Sequence, residues 1–325
     1  MPPSTLLPMT DVSIVVPTRN RQQLLRLAVF TALQQRRVTV EVIVVDDAST
    51  DDTARTVSDV GRGVRLLRQP SQSGVSASRN RGIAEAKGDW IAFLDDDDLW
   101  APDKLIRQLE AVTAAGRTWV YAGDVDVDYA LRVLSASRPP SPEEVMEALP
   151  RYNPVPTGAS NVMVRADVLA EAGPFDPELR RTEDWDMWIR LARSGPPAYV
   201  PHPLVAYRFH HSNIPVETNA IIHEPGLLAA RYGIPVDRAA MHRRAAWTCL
   251  RAGDRGRAVR HYARAVAIGD LRSVGRAAVA LVHPAVGSDR VFRLIRGEWD
   301  ERWAAEAQVW LDELSEMTAG RSPAS

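Results

Sequence analysis

The chain has 325 residues, 45% hydrophobic and 25% charged, with a net charge of -1, which suits a globular protein with one large α/β domain and an accessory region. Its single cysteine, Cys249, excludes an intramolecular disulfide and a cysteine-rich zinc site and suits a reducing compartment. No apolar run reaches the ~18 residues of a transmembrane helix, and residues 1–10 lack the basic and apolar regions of a secretory signal, so a cytoplasmic location is expected.

Along the first hundred residues, apolar runs alternate with helical spacing. A strand over 12–16 closes at Pro17, and residues 24–35 carry Leu24, Leu25, Ala28, Val29, Ala32 and Leu33 at helical intervals. A second strand over 40–45 ends in Asp46-Asp47. Ser49, Asp51 and Asp52 then open a helix over 53–60, with acids at its positive end. A strand over 64–68, a helix over 74–86, a strand over 90–94 and a helix over 103–115 complete the alternation. Such alternation predicts a parallel sheet with helices on both faces, and ligands at the carboxyl ends of its strands.

Beyond Trp119-Val120-Tyr121 the order weakens. A Ser/Pro-rich loop at 135–142 precedes a strand region at 155–164, the turn at 173–176, a helix over 183–191 and an extended stretch at 199–209. From about His223 the chain reads as helical. Residues 246–270 form a hairpin around Gly253-Asp254-Arg255-Gly256, similar to a single tetratricopeptide-type unit. Ten arginines lie between Arg238 and Arg276 against two acids, Asp254 and Asp270. No interleaved aromatic platform accompanies them, so nucleic acid is not an expected partner. The basic helices are either a solvated face or a peripheral contact with anionic membrane.

The most informative stretch is Asp95-Asp96-Asp97-Asp98, at the end of the strand over 90–94. Adjacent carboxylates repel, so the cluster needs a cation or a solvated, helix-capping turn. Hard oxygen ligands favour Mg²⁺ or Mn²⁺, ions that commonly share a site with phosphate oxygens.

Together, Val16-Pro17-Thr18-Arg19-Asn20, Val45-Asp46-Asp47-Ala48-Ser49-Thr50-Asp51, Gly74-Val75-Ser76-Ala77-Ser78-Arg79-Asn80-Arg81-Gly82 and Phe93-Leu94-Asp95-Asp96-Asp97-Asp98, with Glu183-Asp184 downstream, resemble the large second family of inverting glycosyltransferases. The resemblance covers residues 12–208 and implies a GT-A fold: a Rossmann-like, mostly parallel sheet flanked by helices, followed here by a C-terminal helical region. It implies a glycosyltransferase domain over 1–222, with nucleotide-sugar binding at about 11–122 and the acceptor and catalytic part at about 123–222. Residues 223–325 form the helical region.

The activity so implied is transfer of a sugar from a nucleoside-diphosphate sugar, a UDP-sugar foremost, to a hydroxyl acceptor, with Mn²⁺ or Mg²⁺. Pro17 and Thr18 bring backbone close to the base or ribose, and Asp47 accepts a hydrogen bond from the base. Asp46 reads as a turn cap. Arg79 is a contact to base or diphosphate or an exposed helix charge. Asn20 and Asn80 contact the donor or brace turns. Four aspartates allow two registers; the following Leu99-Trp100-Ala101-Pro102-Asp103 favours Asp95 with Asp97. Asp97 is then the direct metal ligand, Asp95 or Asp96 reaches ribose or metal water, and Asp98 caps the next helix.

Inversion needs a base opposite the leaving group. The resemblance gives that position to Glu183-Asp184, with Asp184 as the base and Asp186 as the lesser alternative. Trp185 and Trp188 beside this pair stack on a sugar or belong to the core. His210 either approaches the metal or diphosphate or is structural.

A haloacid-dehalogenase-type phosphatase needs Thr or Val at the Leu99 position and a downstream lysine, yet no lysine follows Lys104. The Gly-rich loop of sugar-phosphate nucleotidyltransferases is absent after the first strand. A non-catalytic nucleotide-sugar or carbohydrate binder of the same fold is the alternative. The sequence leaves the oligomeric state open.

Overall fold

The β-branched runs of the first hundred residues become parallel strands. The computed structural model describes residues 11–61, 63–209, 218–282 and 299–319. Strand β1 (Asp11–Thr18) lies between β2 (Thr39–Asp46) and β4 (Trp90–Phe93), and β2 pairs with β3 (Val64–Arg68), all in parallel. Helices α1 (Gln22–Leu33), α2 (Thr53–Val60) and α3 (Val75–Glu85) make the crossovers. Parallel strands require such crossovers, and they bring Thr18, Asp46 and the acidic run to one edge.

Antiparallel strands extend this Rossmann-like half. They are β5 (Asp98–Trp100), β6 (Trp119–Val127), β7 (Val133–Ala136), β8 (Met163–Arg165) and β9 (Ala198–Arg208), giving a mixed sheet of order β3-β2-β1-β4-β8-β6-β9-β5 with β7 on β6. Helices α4 (Lys104–Ala115), α5 (Pro142–Ala148), α6 (Ala166–Ala172) and α7 (Glu183–Leu191) intervene.

The described residues divide into two compact units that interleave along the sequence. The first runs to Asp124 and adds Val155–Glu178 and Arg190–Tyr207; the second takes Val125–Pro154, Leu179–Ile189 and the chain from Arg208 onward. In the first unit, Val12, Ile14, Val15, Val16, Val42, Ile43, Val44 and Val45 are fully buried. Helix α3 lies so close to β1 that a Cβ at Gly82 would stand 2.4 Å from Val15 Cγ1.

In the second unit, the C-terminal part of β6 pairs with β7, and helices α8 (Asn219–Tyr232), α9 (Arg238–Arg251), α10 (Arg255–Ala267), α11 (Ser273–Val282) and α12 (Glu301–Ala319) follow. The expected helical hairpin is α9 with α10. Gly253 turns at φ 74°, Asp254 caps α10 by accepting from Arg257 N at 2.8 Å, and Cys249, Leu250, Ala258, Tyr262 and Ala280 form its apolar cluster. Among the described residues, no helix is long and apolar enough to cross a membrane.

Candidate active site

The acidic run is a turn that links β4 to β5. Leu94 N–H continues the ladder to Val15 O at 3.1 Å, and Asp98 N–H closes the turn on Asp95 O at 3.1 Å. Ser160 stitches the turn together: its Oγ accepts from Asp95 N–H at 2.9 Å and donates to Asp98 Oδ2 at 2.5 Å. Ser160 is itself held by Trp100 Nε1, which donates to its carbonyl at 2.8 Å.

Each of the four carboxylates has its own donor, which is how the charge is tolerated. Arg79 Nη2 lies 2.7 Å from Asp95. Thr18 Oγ1 donates to Asp96 at 2.7 Å. Arg21 Nη1 reaches Asp96 at 3.0 Å and Asp97 at 2.8 Å. One guanidinium cannot fully neutralise two carboxylates. Burial, and then the Asp97 charge, push the Asp96 carboxyl up to about 7, with Arg21 and Thr18 acting against them. Burial lowers the Arg21 pKa, but Asp96 and Asp97 outweigh it and raise it overall.

One oxygen each from Asp95, Asp97 and Asp98 lies within 4.8 Å of the others. Two ligands on opposite sides of a Mg²⁺ ion stand about 4.2 Å apart, so this trio fits a small hard cation after a slight closure. Asp95 and Asp97, the pair favoured by the register, are both in it. Asp96 turns instead to Thr18 and Arg21. The expectation that Asp98 caps the following helix is corrected: it opens β5, opposite Tyr207. The helix begins later, at Lys104.

The remaining expected donor contacts of the first unit hold local structure. Asp47 accepts from Ser73 N at 2.7 Å, Ser73 Oγ at 3.1 Å, Gln69 Nε2 at 3.1 Å and Gly74 N at 2.9 Å. Oδ1 takes three of these bonds and Oδ2 one, and together they pin the entry to α3. Asp46 caps its own turn, accepting from Ser49 N at 2.8 Å. Asn20, at φ 53°, accepts from Thr50 N at 2.7 Å and so braces the loop after β1. Asn80 likewise braces Phe175, exchanging two backbone bonds of 2.8 Å with it. Pro17 is buried. Arg79 is no exposed helix charge: it is 2% exposed and sits over the Phe175 ring, 5.4 Å from the centroid.

The expected base lies in the second unit, in the first turn of α7. Asp184 Oδ2 accepts from Asn153 Nδ2 at 2.9 Å and its Oδ1 from Trp185 N at 2.7 Å. Glu183 is buried beside it. The segment before α7 is tied to Glu224, whose carboxylate accepts from the backbone N–H groups of Arg180, Arg181 and Thr182 at 2.8–3.1 Å and from Thr182 Oγ1 at 3.0 Å. Asp186 is engaged by Arg231 Nη1 at 3.0 Å and Tyr232 Oη at 2.6 Å.

Trp185 corrects a further expectation. It is 1% exposed, and its Nε1 donates to Leu149 O at 2.7 Å, so its ring is a core element and offers no face to a sugar. Trp188 is also fully buried. His210 lies outside the described residues.

Sequence reasoning missed Arg21, Ser160 and Glu224. A signal existed for Arg21, because four acids need a nearby cation and the adjacent parallel strand runs into Arg19-Asn20-Arg21. Ser160 and Glu224 act across long sequence separations and carry no local signature.

Comparison with known proteins bears on the same segment. A family model described as "Glycosyl transferase family 2" matches residues 13–170. The succinoglycan biosynthesis protein ExoO of Rhizobium meliloti is 42% identical over 117 residues, 36% of this chain and 34% of that protein. The chain thus spans about a third of the first curated relatives it matches. A protein of Bacillus subtilis named as a putative teichuronic acid biosynthesis glycosyltransferase, TuaG, is 26% identical over 62% of this chain and 81% of its own. Among solved structures, S. aureus TarS 1–349 in complex with UDP-GlcNAc superimposes with a TM-score of 0.56 at 14% identity, covering 97% of this chain and 93% of that one. The mannosyltransferase PcManGT of Pyrobaculum calidifontis, in complex with GDP-Man and Mn²⁺, gives 0.54 at 18% identity, covering 98% and 89%. Those two likenesses speak for the fold. Residues 13–170 thus match glycosyl transferase family 2, and the fold is GT-A.

Proposed function

We propose that the protein is an inverting glycosyltransferase that moves a sugar from a nucleoside-diphosphate sugar, a UDP-sugar first, onto a hydroxyl acceptor in polysaccharide biosynthesis. The observation that carries this reading is the trio of Asp95, Asp97 and Asp98 oxygens, set at the carboxyl end of a parallel strand beside Thr18, Arg21 and Arg79. The relatives named for succinoglycan and teichuronic acid synthesis support it, as do the neighbours solved with UDP-GlcNAc, GDP-Man and Mn²⁺.

In this reading Asp95, Asp97 and Asp98 hold Mn²⁺ or Mg²⁺, which when bound supplies positive charge to the departing diphosphate. Thr18 and the loop braced by Asn20 approach the nucleoside, while Arg79 orients Asp95. Asp47 meets the base by exchanging one of its bonds to the 69–74 segment. Asp184 accepts the proton of the acceptor hydroxyl as that oxygen attacks the anomeric carbon, and Asn153 holds its carboxylate in place. The buried Cys249 agrees with the reducing cytoplasm proposed as the site of action.

The test is turnover of nucleotide-sugars with Mn²⁺. Asp184→Asn is expected to abolish transfer and donor hydrolysis while leaving donor affinity intact. Unchanged turnover in that variant removes Asp184 from the role of base.

A further inference from the structure

Within the second unit, the N-terminal turn of α8 faces α10 across a cavity of about 370 Å³, inside the roughly 300–1,000 Å³ range of small-molecule sites. Thr218, Asn219 and His223 line it from α8, and Arg257, Arg260, His261 and Arg264 from α10. The α10 residues fall at i, i+3, i+4 and i+7, so one helical face presents three guanidinium groups to the cavity. Arg260 and Arg264 are an i, i+4 pair of like charges, an arrangement that disfavours a helix.

No carboxylate is among the described residues that line the cavity. Asp254 neutralises Arg257 through Nε at 2.6 Å, whereas Arg260 and Arg264 are exposed and have no ion-pair partner among the described residues. The first N–H groups of α8 add the positive end of a helix dipole on the opposite wall. Burial, then His242 and to a lesser degree the arginines 264, 260 and 257, hold His261 down to about 4. His261 is therefore a neutral ring at pH 7, with Nε2 3.4 Å from Thr218 Oγ1.

We propose that this cavity binds a phosphate or diphosphate group, through the forks of Arg260 and Arg264 and the N-terminal turn of α8. Guanidinium forks match phosphate oxygens in geometry as well as charge, and an oxyanion between them removes the repulsion that α10 otherwise carries. The site uses none of the residues assigned to donor chemistry. Its ligand is either a soluble phosphorylated molecule or the phosphate headgroup of a lipid.

The experiment is calorimetric titration of the whole chain with inorganic pyrophosphate in chelator-containing buffer, which keeps divalent metal from the acidic cluster. Binding at one site, weakening as salt rises, is expected. Losing two charge-assisted hydrogen bonds predicts at least a tenfold weaker affinity in Arg260→Glu/Arg264→Glu. Arg260→Lys/Arg264→Lys is expected to retain most of the binding, and Asp97→Asn all of it. Should the glutamate variant not fold, Arg260→Gln/Arg264→Gln replaces it.

No binding by the wild-type protein, or equal binding by a folded double variant, overturns the proposal. Sedimentation with phosphatidylcholine vesicles, with and without phosphatidic acid, separates the two sources. Acid-dependent co-sedimentation that the double variant loses assigns the phosphate to a headgroup. Pyrophosphate binding without such co-sedimentation, or with co-sedimentation that the double variant keeps, assigns it to a soluble molecule.

Discussion

Arg21 donates from Nη1 to Asp97 Oδ2 at 2.8 Å, joining the loop after the first strand to the acidic turn after the fourth. The same nitrogen reaches Asp96, so one cation supports two of four consecutive carboxylates. Charge-assisted bonds of this kind contribute about 1.5–3 kcal/mol each. Arg21→Ala is expected to lower the metal-free melting temperature and to enlarge the rise produced by Mn²⁺, because a competing cation has left Asp97. Thermal unfolding with and without Mn²⁺ reads this directly. An equal Mn²⁺ response in both proteins contradicts it.

Gly82 is required by packing rather than by backbone conformation. A methyl at this position meets Val15 Cγ1 at 2.4 Å, and Val15 is fully buried in the central strand with no room to yield. Gly82→Ala is therefore expected to destabilise the fold by about 1–3 kcal/mol, despite the better helix propensity of alanine. Urea denaturation measures this, and a variant as stable as wild type means that α3 shifts freely on the sheet.

Lys104 is fully buried with one hydrogen bond, Nζ to Gln108 Oε1 at 2.9 Å. Burial lowers its pKa well below 10.5, against the cation–π attraction of the Trp100 ring 3.9 Å away. The folded amine holds its proton less tightly than the unfolded one, so the unfolded chain binds more protons below about pH 10.5. Wild-type stability attributable to this group then rises as pH climbs toward that value. Lys104→Met, close in volume, is expected to be more stable than wild type at pH 7, with an advantage that shrinks toward pH 10. Stability curves at several pH values check the sign, and an advantage that grows with pH contradicts it.

Glu224 holds the chain just ahead of the proposed base by accepting three backbone N–H groups and the Thr182 hydroxyl. Glu224→Gln replaces one acceptor oxygen with a donor facing donors, a mismatch of about 1–3 kcal/mol. The expected result is a lower melting temperature together with a reduced kcat and an unchanged donor KM. A change confined to KM argues against a positioning role.

The sequence made the first half of the fold legible because β-branched runs, helical spacing and strand-end acids all repeat there on a short period. The hairpin around Gly253 was legible for the same local reason. The antiparallel half was weaker, since β5 and β8 have three residues each and their partners lie far away in sequence. At the site, carboxylate identity was readable but carboxylate role was not. Asp98 looked like a helix cap until its pairing with Ser160 and Tyr207 was visible, and Trp185 looked like a sugar platform until its burial was. Whether an aromatic on an amphipathic helix faces the core or a ligand depends on the packing around it, which no local pattern encodes.

The central claim is that the acidic turn grips a nucleoside diphosphate through a divalent cation. Calorimetric titration of UDP into the wild-type protein and Asp97→Asn, each with Mn²⁺ and with chelator, tests it most directly. The account predicts binding by wild type in Mn²⁺, with strong weakening in chelator and in the variant. Equal UDP affinity in all four conditions contradicts it.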